Sequence, residues 1–354
     1  MKKTIYILIA SIACIACTNN SVETSGVSNA VNKDSISVEK VDTLLSQIQK
    51  EIVSNPESPN VYLKRALYYQ KERQFGRSLE DINRALNLAP DVSILQYHKA
   101  SILYEYAVYE QDISLLDEAK LYLDNSIKED LQIIPPRLLR AKIFLFEKDT
   151  EESMRLINDV LKVDQRIAEA YLIKGMIYHF LGNSKLAISS YQTAIEVDPD
   201  YFDAYINMGM IMDKIGDQRA IDYYNSAIEI YPNSLEAHRN KGLHLHFNND
   251  YKSARLSFRE VAKIDPTFEE AFFNIGNTFL GEYALENKVV LLDSAFYYFD
   301  KAQSMNKYYV LAIHNLGLCY ELKGEIELAK ENYQRAIDLD NNYKPSLDAI
   351  NSLN

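Results

Sequence analysis

The sequence predicts an all-α fold, a solenoid of about eight stacked helical hairpins, on three observations. Prolines recur at a steady interval: Pro56 and Pro90 lie 34 residues apart, Pro199 and Pro232 lie 33 apart, and Pro232 and Pro266 lie 34 apart. A helix-turn-helix unit of about this length therefore repeats along the chain. Two sites in every unit are small. The eighth position reads Ala66, Ala100, Ala141, Gly175, Gly209, Gly242, Gly276 and Gly317, and its counterpart on the second helix reads Ser78, Ala119, Ser153, Ala187, Ala220, Ala254, Ala295 and Ala329. Side chains of this size let two antiparallel helices cross closely. The composition agrees: 354 residues carry 11 Gly, 9 Pro, no Trp and 26 Tyr, a balance suited to long helices rather than turn-rich sheets.

The elements follow in order. Lys2 and Lys3 precede an apolar run from Ile5 to Ala16 that is too short to span a bilayer, so residues 1–16 read as an export signal. The run ends Cys14-Ile15-Ala16-Cys17, which resembles a bacterial lipobox. The resemblance implies a lipidated Cys17 at the mature N-terminus, with Cys14 as the lesser candidate and ordinary secretion as the alternative. Residues 17–37 are rich in Ser, Asn and Thr and read as a flexible tether, followed by an N-terminal helix over 38–56. Eight units then span 59–92, 93–133, 134–167, 168–201, 202–234, 235–268, 269–309 and 310–343. A short capping helix over 344–354 covers the last apolar face.

Bulky residues recur between the small ones: Tyr69, Leu103, Phe144, Tyr178, Met212, Leu245, Phe279 and Tyr320 on the first helices, and Ile82, Leu123, Ile157, Tyr191, Tyr224, Phe258, Phe299 and Tyr333 on the second. They are expected to fill the space between neighbouring hairpins. Units 93–133 and 269–309 have 41 residues each and share Leu115-Leu116-Asp117 and Leu291-Leu292-Asp293. The seven extra residues are about two helical turns, which predicts one added turn per helix. Pro135 and Pro136 at the start of unit 134–167 predict a bend or looser stacking there.

The unit length, with Tyr171, Gly175, Tyr178, Ala187, Tyr191, Ala194 and Pro199 at set offsets, resembles the tetratricopeptide repeat. That resemblance implies a right-handed superhelix whose first helices line a concave groove and meet ligands through positions 2, 5, 6, 9, 12 and 13. Four consecutive units place Asn at position six: Asn207, Asn240, Asn274 and Asn315. An amide carries both donors and an acceptor, so a ladder of them can pair with an extended peptide backbone. This is similar to the asparagine ladder in the repeat superhelix of O-GlcNAc transferase, although no transferase domain is present. Arg239, Asn277, His246 and His314 are expected as neighbours on that surface. The family's dicarboxylate clamp does not fit, because Ile206 and Met210 stand where it needs Lys and Asn.

A net charge of -12 argues against the phosphate backbone of nucleic acid as partner. Cys17 and Cys319 cannot form an internal disulfide framework, and Cys319 reads as a buried small hydrophobe. The six His residues lack zinc spacing, and no glycine-rich phosphate loop, nucleophile elbow or HExxH occurs, so no catalytic residue, metal or cofactor is expected. The expected function is a membrane-anchored scaffold that binds proteins or extended peptides in cell-envelope assembly. The lipobox resemblance, with Thr18 after the cysteine, implies the outer membrane facing the periplasm. The alternatives are an accessory subunit of a glycan or peptidoglycan enzyme and a soluble secreted repeat protein.

Overall fold

The computed structural model describes residues 35–127 and 134–353, with side chains from Leu44 onward. The leader, Cys17 and the tether up to residue 34 lie outside the described residues. Among the described residues all regular structure is helical. α1 (Ser35–Ser54) begins three residues before the expected Val38, since Ser35, Ile36 and Ser37 include no helix breaker. Eight hairpins follow: α2 (Pro59–Lys71) with α3 (Phe75–Leu88), α4 (Ser93–Glu110) with α5 (Leu115–Ile127), α6 (Ile134–Phe146) with α7 (Thr150–Val163), α8 (Ala168–Phe180) with α9 (Ser184–Val197), α10 (Phe202–Lys214) with α11 (Ala220–Ile230), α12 (Leu235–Phe247) with α13 (Tyr251–Ile264), α14 (Glu269–Glu286) with α15 (Val289–Met305), and α16 (Val310–Lys323) with α17 (Ile326–Leu339). α18 (Lys344–Leu353) ends the described chain. The residues fall into two compact units that divide between Tyr201 and Phe202.

Each hairpin is built on its two small sites, which are buried without exception among the sixteen residues named above. In hairpins one and three the second site is Ser, and its hydroxyl crosses to the first helix: Ser78 Oγ donates to the Ala66 carbonyl at 2.8 Å and Ser153 Oγ to the Ala141 carbonyl at 2.7 Å. In hairpins four to eight the bulky ring of the second helix lies inside its own hairpin, over the first small site, and not only between hairpins as the sequence suggested; Tyr224 also reaches the next hairpin, its ring 6.4 Å from that of His244. A Cβ on Gly175 would stand 2.3 Å from the Tyr191 ring, and one on Gly209 2.4 Å from the Tyr224 ring. Gly is therefore required where the second helix supplies an aromatic ring, in hairpins four to eight. Ala suffices where it supplies Ile82, Leu123 or Ile157, in hairpins one to three.

Turn chemistry fixes the ends. Arg73, Lys148, Gly182, Gly216, Asn249 and Gly324 take left-handed backbone conformations in the hairpin turns, and Gln111 and Asn287 do so after the two long first helices. Asp149, Asn183 and Asp250 then cap the following helix through a backbone N–H three residues on. Between hairpins, Asp164, Asp198, Asp265, Asn306 and Asp340 each accept from the amide two residues later, which accounts for an Asp or Asn at these five junctions.

Pro135 and Pro136 sit in the first turn of α6, where a missing N–H costs nothing, so they put no bend in that helix, which continues unbroken to Phe146. The connector before them, residues 128–133, lies outside the described residues. The seven extra residues are not shared equally between the helices. α4 and α14 have 18 residues against 13 in α2 and α12. α15 has 17 against 14 in α13. α5 has 13 up to Ile127 and starts four residues after Gln111, because Ser114 bonds Asp112 in an intervening turn.

Candidate peptide-binding surface

The position-six asparagines all lie on first helices of the second compact unit, but they are not equivalent. Asn207 is half-buried, and its Nδ2 donates to the Asp203 carbonyl one turn back at 2.8 Å. Asn240 is half-buried and has no side-chain partner among the described residues. Asn274 is only 3% exposed and directs Nδ2 to Glu270 Oε1 at 3.4 Å. The same carboxylate oxygen accepts from Arg239 Nε at 2.7 Å, so an α12–α14 ion pair covers this rung. Asn315 Nδ2 donates to Asn277 Oδ1 at 2.9 Å and thereby links α16 to α14. A peptide can reach Asn240 directly; reaching Asn274 requires the Arg239–Glu270 pair to open.

The two histidines do not join this surface. His246 is buried, with its ring 5.3 Å from that of Tyr251 and its Nδ1 without a partner, and burial lowers its pKa to about 4. His314 packs its ring on Tyr333 and Tyr343, with Nδ1 2.9 Å from Ser346 Oγ, and burial lowers its pKa to about 4 as well. It thus holds α18 against α16. Position twelve of α12 and position five of α16 point inward because the neighbouring hairpin, or α18, supplies rings that cover them.

Carboxylates dominate what remains. Glu236 on α12 has an exposed side chain whose carboxyl is partly desolvated, which raises its pKa, and the nearby Asp203 carboxylate raises it further. Deeper in the unit, His244 Nδ1 lies 2.5 Å from Asp213 Oδ1, and Tyr224 Oη donates to Asp213 Oδ2 at 2.7 Å. This partly buried network joins α10, α11 and α12, with Asp213 at its solvent edge, and was not anticipated, because its members are spread over three helices. Cys319 is buried and its thiol pKa is pushed up to about 12, in keeping with a packing role. Among the described residues no three His, Cys, Asp or Glu side chains are placed to hold a metal ion, and no helix is long and apolar enough to cross a membrane.

Comparison with known proteins gives the fold. Tetratricopeptide-repeat models match residues 168–201, 203–234 and 311–343. No curated protein sequence matches. Among solved structures, the Cut9–Hcn1 hetero-tetramer of the APC/C matches at a TM-score of 0.56 and 15% identity, over 90% of this chain and 59% of the other. PilW, a type IV pilus biogenesis factor, matches at a TM-score of 0.52 and 21% identity, over 62% of this chain and 98% of PilW. YrrB, a repeat protein with an unusual peptide-binding site, matches at a TM-score of 0.44 and 24% identity, over 55% of this chain and 96% of YrrB. The chain is an all-α protein of helical hairpins that carries tetratricopeptide repeats at residues 168–201, 203–234 and 311–343, and proteins with such repeats generally mediate protein–protein interaction.

Proposed function

We propose that this chain is a lipid-anchored scaffold of the bacterial cell envelope, tethered through Cys17 to the outer membrane with its repeats in the periplasm. It binds partner proteins or extended peptides along the first helices of the second compact unit. The observation that carries the binding reading is Asn240: its amide is half-buried, has no partner of its own, and shares a helix position with Asn207 and Asn315. An amide with its donors and acceptor free, set among equivalent amides at a repeated position, suits a peptide backbone, and the hydrogen bonds of Asn207 and Asn315 are ones a ligand can replace. At about 0.5–1.5 kcal/mol per hydrogen bond they give modest affinity on their own. The anchoring reading rests on the Lys2-Lys3 start, the apolar run and Cys17.

Site-specific photocrosslinking tests the binding surface. A photoreactive residue at 240 is expected to capture a partner in envelope membranes, and the capture is expected to weaken in N207A/N315A. The same probe at Leu256, exposed on the second helix α13, is expected to capture none of it. Equal capture from both positions would remove the first-helix face as the site. Mass spectrometry of the mature N-terminus tests the anchor: acyl chains on Cys17 are expected, and an unmodified start downstream of it would end that reading.

A further inference from the structure

α4 runs past the end of α2, and its last turns face the α2–α3 turn across an open cavity of about 410 Å³. Phe75, Tyr104 and Tyr109 supply rings, while Lys71, Arg73 and Glu105 supply charge. The preceding and elongated hairpins of the two compact units have equal lengths, so Phe75 corresponds to Tyr251 and Glu105 to Gly281. Beside α14 the same space is closed: the Tyr251 ring lies so near Gly281 that a Cβ there would stand 2.5 Å from it. With Glu105 in place of that glycine, the Phe75 ring packs on Tyr106 and Tyr109 instead, at centroid distances of 5.2 and 5.5 Å, and the cavity remains.

Lys71 and Arg73 are exposed and have no ion-pair partner among the described residues, in a chain of net charge -12. The Arg73 guanidinium lies 5.8 Å from the centre of the Tyr109 ring. Two unneutralised cations beside ring faces attract an aromatic group flanked by carboxylates, since the ring can stack while the acids pair with the cations. Glu105, also exposed and unpaired, repels a carboxylate from the opposite wall and so fixes which side the acids take.

We propose that this cavity binds an acidic segment of a partner polypeptide, with one aromatic side chain among Phe75, Tyr104 and Tyr109 and neighbouring carboxylates on Lys71 and Arg73. The volume lies at the lower end of the roughly 300–1,000 Å³ typical of ligand pockets, which suits a single ring rather than a folded element. The site is separate from the asparagine face, where Asp203, Glu236 and Glu270 favour the opposite charge. It does not depend on that face being a binding surface.

Fluorescence anisotropy with the full mature chain provides the test. The probe is a fluorescein-labelled peptide whose central Phe is flanked by Asp, compared with one carrying Ala for Phe and one carrying Lys for Asp. The acidic aromatic peptide is expected to bind, either peptide change to weaken binding at least tenfold, and added salt to weaken it further. K71E/R73E is expected to lose the Asp-flanked peptide by more than tenfold and to gain the Lys-flanked one. Both replaced side chains are exposed, and the gain shows that the variant is folded. L256S, on the exposed face of α13 and outside both surfaces, is expected to change neither. Equal binding of the Asp- and Lys-flanked peptides, undiminished binding by K71E/R73E, or no binding to the wild-type chain would each overturn the proposal.

Discussion

Beyond Leu103, hairpin two meets its neighbour through Phe75, Tyr106 and Tyr109 and leaves a cavity, whereas the corresponding stretch of hairpin seven, beyond Phe279, is closed. Three contacts close it. Tyr251 fills the space over Gly281, Arg255 Nη2 donates to Glu282 Oε2 at 2.5 Å, and the Arg255 guanidinium lies 4.1 Å from the centre of the Phe279 ring. At the matching positions the first unit has Glu105 for Gly281, Leu79 for Arg255 and Tyr106 for Glu282. Both long helices end on a left-handed residue, Gln111 or Asn287, so the backbone solution is shared. Elongation therefore fixes where a cleft can form, and the side chain at 105 or 281 decides whether it stays open.

The largest expected effect comes from breaking the buried pair. R255M leaves the Glu282 carboxylate with only Lys252, 3.9 Å away, and is expected to cost about 3 kcal/mol in denaturant unfolding, the low end for a broken buried pair. R255L/E282Y imports the first unit's combination and is expected to recover most of that loss. If the single and double variants are equally unstable, the pair is not what the two units exchange. Next is G281A, whose Cβ would stand 2.5 Å from the Tyr251 ring. Overpacking of this kind costs about 1–3 kcal/mol, readable as a lower Tm.

A pH titration separates the units further, because His246 corresponds to Gln70. The folded-state pKa of His246, about 4, lies below its ordinary value of 6.5. Its contribution is thus complete above the unfolded pKa of about 6.5 and is lost as pH falls toward 4, roughly 1–2 kcal/mol by pH 5. H246F is expected to flatten that part of the stability–pH curve, and Q70A, which adds no titrating group at the matching position, to leave it in place. The smallest effect is expected from E105G, which puts a glycine into an exposed stretch of α4 and costs about 0.5–1 kcal/mol, measurable as a small drop in denaturation midpoint.

The helical hairpins were legible because their determinants are local and recur. Two small residues per unit repeat along the whole chain, and Pro90, Pro199, Pro232 and Pro266 close four of the units. The direction of the large residues was not legible. Tyr191 and Tyr224 are spaced like side chains that bridge hairpins, and only the depth of Gly175 and Gly209 beneath their rings places them inside one. The candidate surface was legible by position but not by accessibility. Asn274 and Asn207 occupy the same repeat position, yet Glu270 and Arg239 cover only Asn274, and that pairing spans two helices. The cavity was invisible for the same reason, since it turns on whether the ring at 75 or 251 meets a carboxylate or a hydrogen some thirty residues later.

Tyrosine nitration of the native chain, mapped by peptide mass spectrometry, tests the contrast between the two hairpins most directly. Tyr109 is 55% exposed and Tyr251 is 6% exposed. Nitration of Tyr109 is expected at low reagent concentration, with Tyr251 protected until the chain is unfolded. Modification of both at the same rate would contradict the closed packing over Gly281.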